Sequence, residues 1–181
     1  MTLSLGFDVI TLSTRFQQKF IHEAGWQFSG TLQPVEDMKI YSDDYFQVRQ
    51  ILRVFSKNGV KAGDVVQDML GQRYILGEYD LRQHYEGFRM YPVTQSAVWK
   101  RETSKVDQLT GLKKSIGLET KGTIWITGET VSREARGGDI LVREEVFRVV
   151  TGSAVELGDT LNDHKVIKVH ATLGVRVLEL Q

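Results

Sequence analysis

Val166-Ile167-Lys168-Val169-His170-Ala171-Thr172-Leu173-Gly174-Val175-Arg176-Val177-Leu178-Glu179-Leu180 is the stretch whose reading decides the fold class. Val166, Ile167 and Val169, followed by Leu173, Val175, Val177 and Leu178, supply the β-branched and aliphatic density that suits a pleated, half-buried strand. Upstream of it Gly158-Asp159 reads as a turn. Ile140 to Val142 and Val146 to Val150 read as a hairpin about Arg143-Glu144-Glu145, after a turn at Arg136-Gly137-Gly138-Asp139. Thr123 to Thr130 alternates around Ile124 and Ile126, which leaves Trp125 facing a second core or a partner.

The strand signal continues toward the N-terminus. Ala62-Gly63-Asp64 turns the chain into a strand at Val65 and Val66. Leu70-Gly71-Gln72 reads as a hairpin tip, and Arg73 to Tyr79 as the returning strand. Asp80 to Gly87 is polar and reads as a loop, after which Phe88 to Tyr91 is extended. Pro92 marks an edge or bulge in that run, and Val93 to Trp99 continues it. Residues 44–55 fit two periods: Tyr45, Val48, Leu52 and Phe55 make a helical stripe, while Val48, Gln50, Leu52 and Val54 make a strand face. The turn Ser56-Lys57-Asn58-Gly59 favours the strand. Thr14 to Ala24 reads as a short helix capped by Ser13 or Thr14 and broken by Gly25, with Trp26 and Phe28 extended beyond it.

The expected fold is therefore mainly β: a small antiparallel barrel or sandwich, a second strand-rich half or large insertion, and a minor helix near the N-terminus. The expected organisation is an N-terminal region over 1–102 holding the barrel, an exposed loop or linker over 103–122, and a strand-rich region over 123–181 that either completes the first domain or stands beside it. One local pattern recurs: Gly63-Asp64-Val65-Val66, Gly138-Asp139-Ile140-Leu141 and Gly158-Asp159-Thr160-Leu161. Glycine permits the turn, and aspartate accepts backbone N–H groups just before the strand. The spacing is irregular, so the pattern is not read as a solenoid or propeller.

Composition narrows the function classes. The chain has 181 residues, with 23 basic and 23 acidic side chains. A zero balance argues against non-specific coating of nucleic acid, though it leaves room for a local basic patch. The absence of cysteine excludes disulfides, thiolate catalysis and cysteine-ligated zinc. No apolar run approaches ~18 residues, and Met1 to Phe7 has neither the basic nor the apolar region of a secretory signal.

Catalytic motifs are not found. Gly111-Leu112-Lys113-Lys114-Ser115-Ile116-Gly117 lacks phosphate-loop spacing, and no nucleophile elbow or His-Glu-x-x-His occurs. His164 and His170 share a strand face by their even separation and read as ordinary surface histidines. The adjacent pairs Glu36-Asp37, Asp43-Asp44 and Glu144-Glu145 point their carboxylates apart. We therefore expect a non-enzyme without cofactor or metal. Partner contacts are expected at Trp99, followed by Lys100 and Arg101, and at Lys105, Lys113, Lys114 and Lys121 in the 103–122 segment. Those lysines are the one place suited to phosphate or an acidic partner.

Gly63-Asp64-Val65-Val66, Gly71-Gln72-Arg73-Tyr74-Ile75-Leu76-Gly77 and Phe88 to Trp99 together resemble the barrel of tailed-bacteriophage head–tail joining proteins, also called neck, stopper or head-completion proteins. The similarity covers roughly residues 46–101. It implies a virion protein assembled in the host cytoplasm, forming a ring of its own copies below the portal. Such a ring seals the DNA channel or docks the tail, next to portal, adaptor or tail proteins, with its lysine-bearing loop on DNA or a neighbour. The large second half departs from a small stopper and keeps open a tail-tube, baseplate, collar or capsid-decoration role. A β-rich carbohydrate-binding module is the competing class, and would line one groove with its aromatic rings.

Overall fold

A computed structural model describes residues 17–34, 50–55, 58–81, 85–107, 109–137 and 140–181. The chain divides into two units, one comprising 1–93 with 173–175 and the other 94–172 with 176–181.

In the first unit, β1 (Gln17–His22), β2 (Gln27–Pro34), β3 (Gln50–Phe55), β4 (Val65–Asp68), β5 (Arg73–Leu81) and β6 (Tyr85–Pro92) close into a barrel in the order β1-β2-β3-β6-β5-β4. Every pairing is antiparallel, and β1 and β4 close the ring at His22 opposite Val66. The core is formed by Phe20, Phe28, Leu52, Val54, Val60, Val66, Leu76, Phe88 and Met90. Phe20 stacks on Phe28 with ring centroids 5.6 Å apart.

The expected helix is replaced over its described part by β1. Phe20 and Ile21 fit a helical stripe, but pairing Phe20 with Phe28 on β2 and Asp68 on β4 buries it completely. Of the ambiguous stretch 44–55, residues 50–55 are strand, and 44–49 lie outside the described residues. The polar stretch after Tyr79 is strand at both ends, with β5 reaching Leu81 and β6 starting at Tyr85.

In the second unit, β7 (Gln95–Val106), β8 (Lys113–Gly137), β9 (Ile140–Thr151), β10 (Thr160–Leu161), β11 (His164–Thr172) and β12 (Val175–Leu180) close a second barrel, β10-β11-β12-β9-β8-β7. Its core includes Ala97, Ile124, Ile126, Val149, Val155, Leu161, Val166, Leu178 and Leu180. β9 is one continuous strand, not the expected hairpin about Arg143-Glu144-Glu145. In the register Arg133 is the partner of Glu144 and Glu134 that of Arg143, so the ladder runs unbroken through the charged stretch.

Read from β7, the second ring runs β7-β8-β9-β12-β11-β10, the first ring's order displaced by six strands. The registers coincide as well. His22 faces Val66 and Trp26 as Trp99 faces Leu161 and Gly122. Phe20 faces Phe28 as Ala97 faces Ile124; Leu52 faces Phe88 as Val149 faces Leu178. Val60, Leu76 and Met90 correspond in the same way to Val155, Val166 and Leu180, all buried.

The turn before the fourth strand repeats bond for bond. Gly63 N–H donates to Leu76 O and Leu76 N–H to Asp64 O; Gly158 N–H donates to Val166 O and Val166 N–H to Asp159 O. Lys61 N–H donates to Asp64 Oδ2 at 2.7 Å, and Glu156 N–H to Asp159 Oδ2 at 2.8 Å. Two of the three Gly-Asp copies read from the sequence thus sit at one equivalent place. The third, Gly138-Asp139, lies outside the described residues.

Candidate docking arm

The barrels differ where β1 meets β2. Between His22 and Trp26 the first barrel has only the tight turn 23–25. Between the equivalent Trp99 and Gly122 the second has residues 100–121, which pair with each other as a two-stranded ribbon. The segment 103–122 is therefore not the expected loop. Lys100 pairs with Thr120, Glu102 with Leu118, Lys105 with Lys114 and Val106 with Lys113. Weak periodicity concealed these strands because no core-facing side exists to impose alternation.

Two register shifts shape the ribbon, between Trp99 and Lys100 and between Thr103 and Ser104. They leave Lys121 and Ile116 as extra residues, each followed by a glycine at φ 144° or 146°. A bulge bends and twists its strand, and a positive φ of this kind is open to glycine at little cost. The tip is closed by Asp107: its carboxylate accepts the Leu109 N–H at 2.8 Å, and its backbone N–H donates to Leu112 O at 2.9 Å. The Leu109 and Thr110 N–H groups hold the Asp107 carboxyl below the ordinary carboxylate range.

The arm is apolar where a solvated ribbon has no need to be. Val106, Leu109, Leu112, Ile116 and Leu118 are 53–98% exposed. By register, Val106 and Glu102 lie on one face with Leu118. Aliphatic side chains gathered in this way are uncommon on the solvent surface of a monomer. Beyond Arg101 its outer edges have no pairing partner among the described strands, which is the requirement for strand addition by another chain.

The base of the arm is fixed by Asp159, 2% exposed. It accepts Trp99 Nε1–H at 2.7 Å, Arg101 Nε–H at 2.8 Å and Arg101 Nη2–H at 2.9 Å, besides the Glu156 N–H. Arg101 also donates to Ala154 O at 3.0 Å, lies 3.2 Å from Glu156 Oε2, and covers the Trp99 ring at 5.2 Å from its centroid. Burial pushes the Asp159 carboxyl up, but the bonds from Arg101, Glu156 N–H and Trp99 prevail and hold it below the usual range.

The expected contact residues therefore separate into two groups. Trp99 packs against the second core and Arg101 is bound to Asp159. Lys100 pairs with Asp163 and Lys121 with Glu119. All four therefore have a partner within the chain. Lys105 is exposed near the tip, and Lys113 and Lys114 occupy the facing register positions. The leucines and valine of the arm were missed; Leu109 and Leu112 flanking Thr110-Gly111 in an otherwise polar stretch were the available signal.

Among the described residues no group of three or more His, Asp or Glu is placed to hold a metal ion. His164 and His170 are exposed on β11. Trp26 packs against the first core and stacks on His22 at 4.6 Å. Comparison with protein-family models, curated proteins and solved structures finds no match for this chain.

Proposed function

We propose that this protein is a non-catalytic structural component of a tailed-bacteriophage virion, and that the β7–β8 arm docks it onto a neighbouring protein. The observation that carries the reading is the arm: a paired ribbon beyond its own barrel's core, bearing exposed aliphatic side chains and open edges. A role at the head–tail junction is favoured by the resemblance, whose residues fall on β3 to β7 and their turns. There the partners are copies of the chain in a ring, together with portal, adaptor or tail proteins.

A protein partner suits the arm better than DNA. Lys100, Arg101 and Lys121 are committed to carboxylates of the same chain, and phosphate contact would leave Leu109 and Leu112 in water. It also suits the arm better than a bilayer surface, since residues 100–121 contain no aromatic side chain. The carbohydrate-binding reading loses support because Trp26 and Trp99 pack against the two cores rather than standing in one groove.

The test is a cryo-EM map of the particle containing this chain. A ring at the portal–tail junction with residues 102–118 against a neighbour is the expected result. Density on a tail tube, baseplate or capsid face moves the protein elsewhere in the virion. A chain found only free, with the arm in solvent, overturns the reading.

A further inference from the structure

The first barrel serves as an internal reference for the second. We infer that the chain is a tandem duplication of one six-stranded barrel, that residues 100–121 are an insertion into the first hairpin of the second copy, and that Arg101 is the positioning residue that latches this insertion to a turn carboxylate the barrel already possessed. The latch rests on reading the arm as a docking element, which it orients.

The case for duplication is the register. Strand order alone recurs among small barrels, but here the pairings agree around both rings, and the two turns share Val-x-x-Gly-Asp at Val60 to Asp64 and Val155 to Asp159. In each copy the aspartate caps its own turn and faces a ring nitrogen: His22 Nε2 lies 3.1 Å from Asp64 Oδ2, and Trp99 Nε1 lies 2.7 Å from Asp159 Oδ2. That arrangement belongs to the barrel. Arg101 does not, because it lies inside the inserted span and has no counterpart in the turn 23–25.

Its geometry is that of a latch. A guanidinium that meets a carboxylate through two N–H groups fixes direction as well as distance. Arg101 does this to Asp159 while also holding Ala154 O and Glu156, all outside the ribbon. It sits one residue beyond the bulge where Gly122 lets the ribbon bend. A two-stranded hairpin is marginal in water on its own, so a clamp at the bend determines where the arm points before any partner arrives.

Amide hydrogen exchange on the isolated full chain tests this, comparing wild type with Arg101→Gln and Arg101→Lys. Arg101→Gln is expected to speed exchange at residues 102–106 and 115–120 about ten-fold, as loss of a charge-assisted fork implies. Amides of β11 and β12 should be unchanged. Arg101→Lys, which keeps the charge without the fork, should fall between the two. Trp99 supplies a second readout: its indole N–H resonance should persist in both variants, because Asp159 still accepts it. Arm exchange in Arg101→Gln within two-fold of wild type overturns the latch, as does equal loosening of arm and barrel. No partner is present, so a failed latch leaves the docking role standing, and a failed docking role leaves the latch measurable.

Discussion

Asp159 shows how one buried carboxylate can close a turn and anchor an arm. Three donors, an indole, a guanidinium and a backbone N–H, converge on two oxygens, so an amide there removes the charge and sets a donor where one acceptor oxygen had been. Asp159→Asn should lower stability at neutral pH by about 1–3 kcal/mol, a figure discounted because the Arg101 side chain is partly exposed. The pH dependence follows from the depressed folded-state pKa. The stabilisation is present above the unfolded carboxylate value and is lost as pH falls through the lower folded one. Urea unfolding at pH 7, 5 and 3 should therefore show a shallower acid-side decline for Asp159→Asn than for wild type. Parallel declines would contradict the assignment.

At the scale of the element, the two barrels fill one register with different volumes. A Cβ on Gly30 of β2 would lie 2.6 Å from Leu52 Cδ1 and 3.1 Å from Val54 Cγ1, so Leu52 occupies the space glycine leaves. The second barrel has Ile126 and Val149 at those two positions: the larger residue has changed strands. Gly30→Ala should cost about 1–3 kcal/mol through overpacking. Combined with Leu52→Val, it should cost less than the two single changes added, since each relieves the other. Additive costs in chemical denaturation would show that these positions do not compensate. The same elements show what was legible beforehand. β4, the Leu70-Gly71-Gln72 tip and the last two strands form as read, except that Leu173, counted with the strands, lies in the turn between β11 and β12 at φ 50°. β1 did not, because six residues with Phe20 and Ile21 fit two periods, and only Phe28 and the closure onto β4 choose between them. The arm was illegible as strand because a ribbon solvated on both faces carries no alternation. Lys100 and Arg101 look like part of a basic patch in sequence, and only folding brings Asp163 and Asp159 to them; Glu119, two residues from Lys121, was already visible beside it.

At the scale of the molecule, the duplication is hidden by divergence. Phe20 has become Ala97 and Phe88 has become Leu178, so little beyond Val-x-x-Gly-Asp survives in the letters while every pairing named above survives in space. It follows that the arm is separable from the fold. Replacing residues 100–121 with Glu-Ala-Gly, the turn of the first barrel, should give a cooperatively folding chain with a Tm within several degrees of wild type. Collapse of the second barrel in circular dichroism would show that the ribbon supports the core. The central claim is that the arm exists to be covered by another protein. Hydrogen exchange at residues 102–118, compared between the isolated chain and the native particle, tests it most directly. Strong protection of those amides only in the particle is the predicted result; equal exchange in both states would mean that the arm meets no partner there.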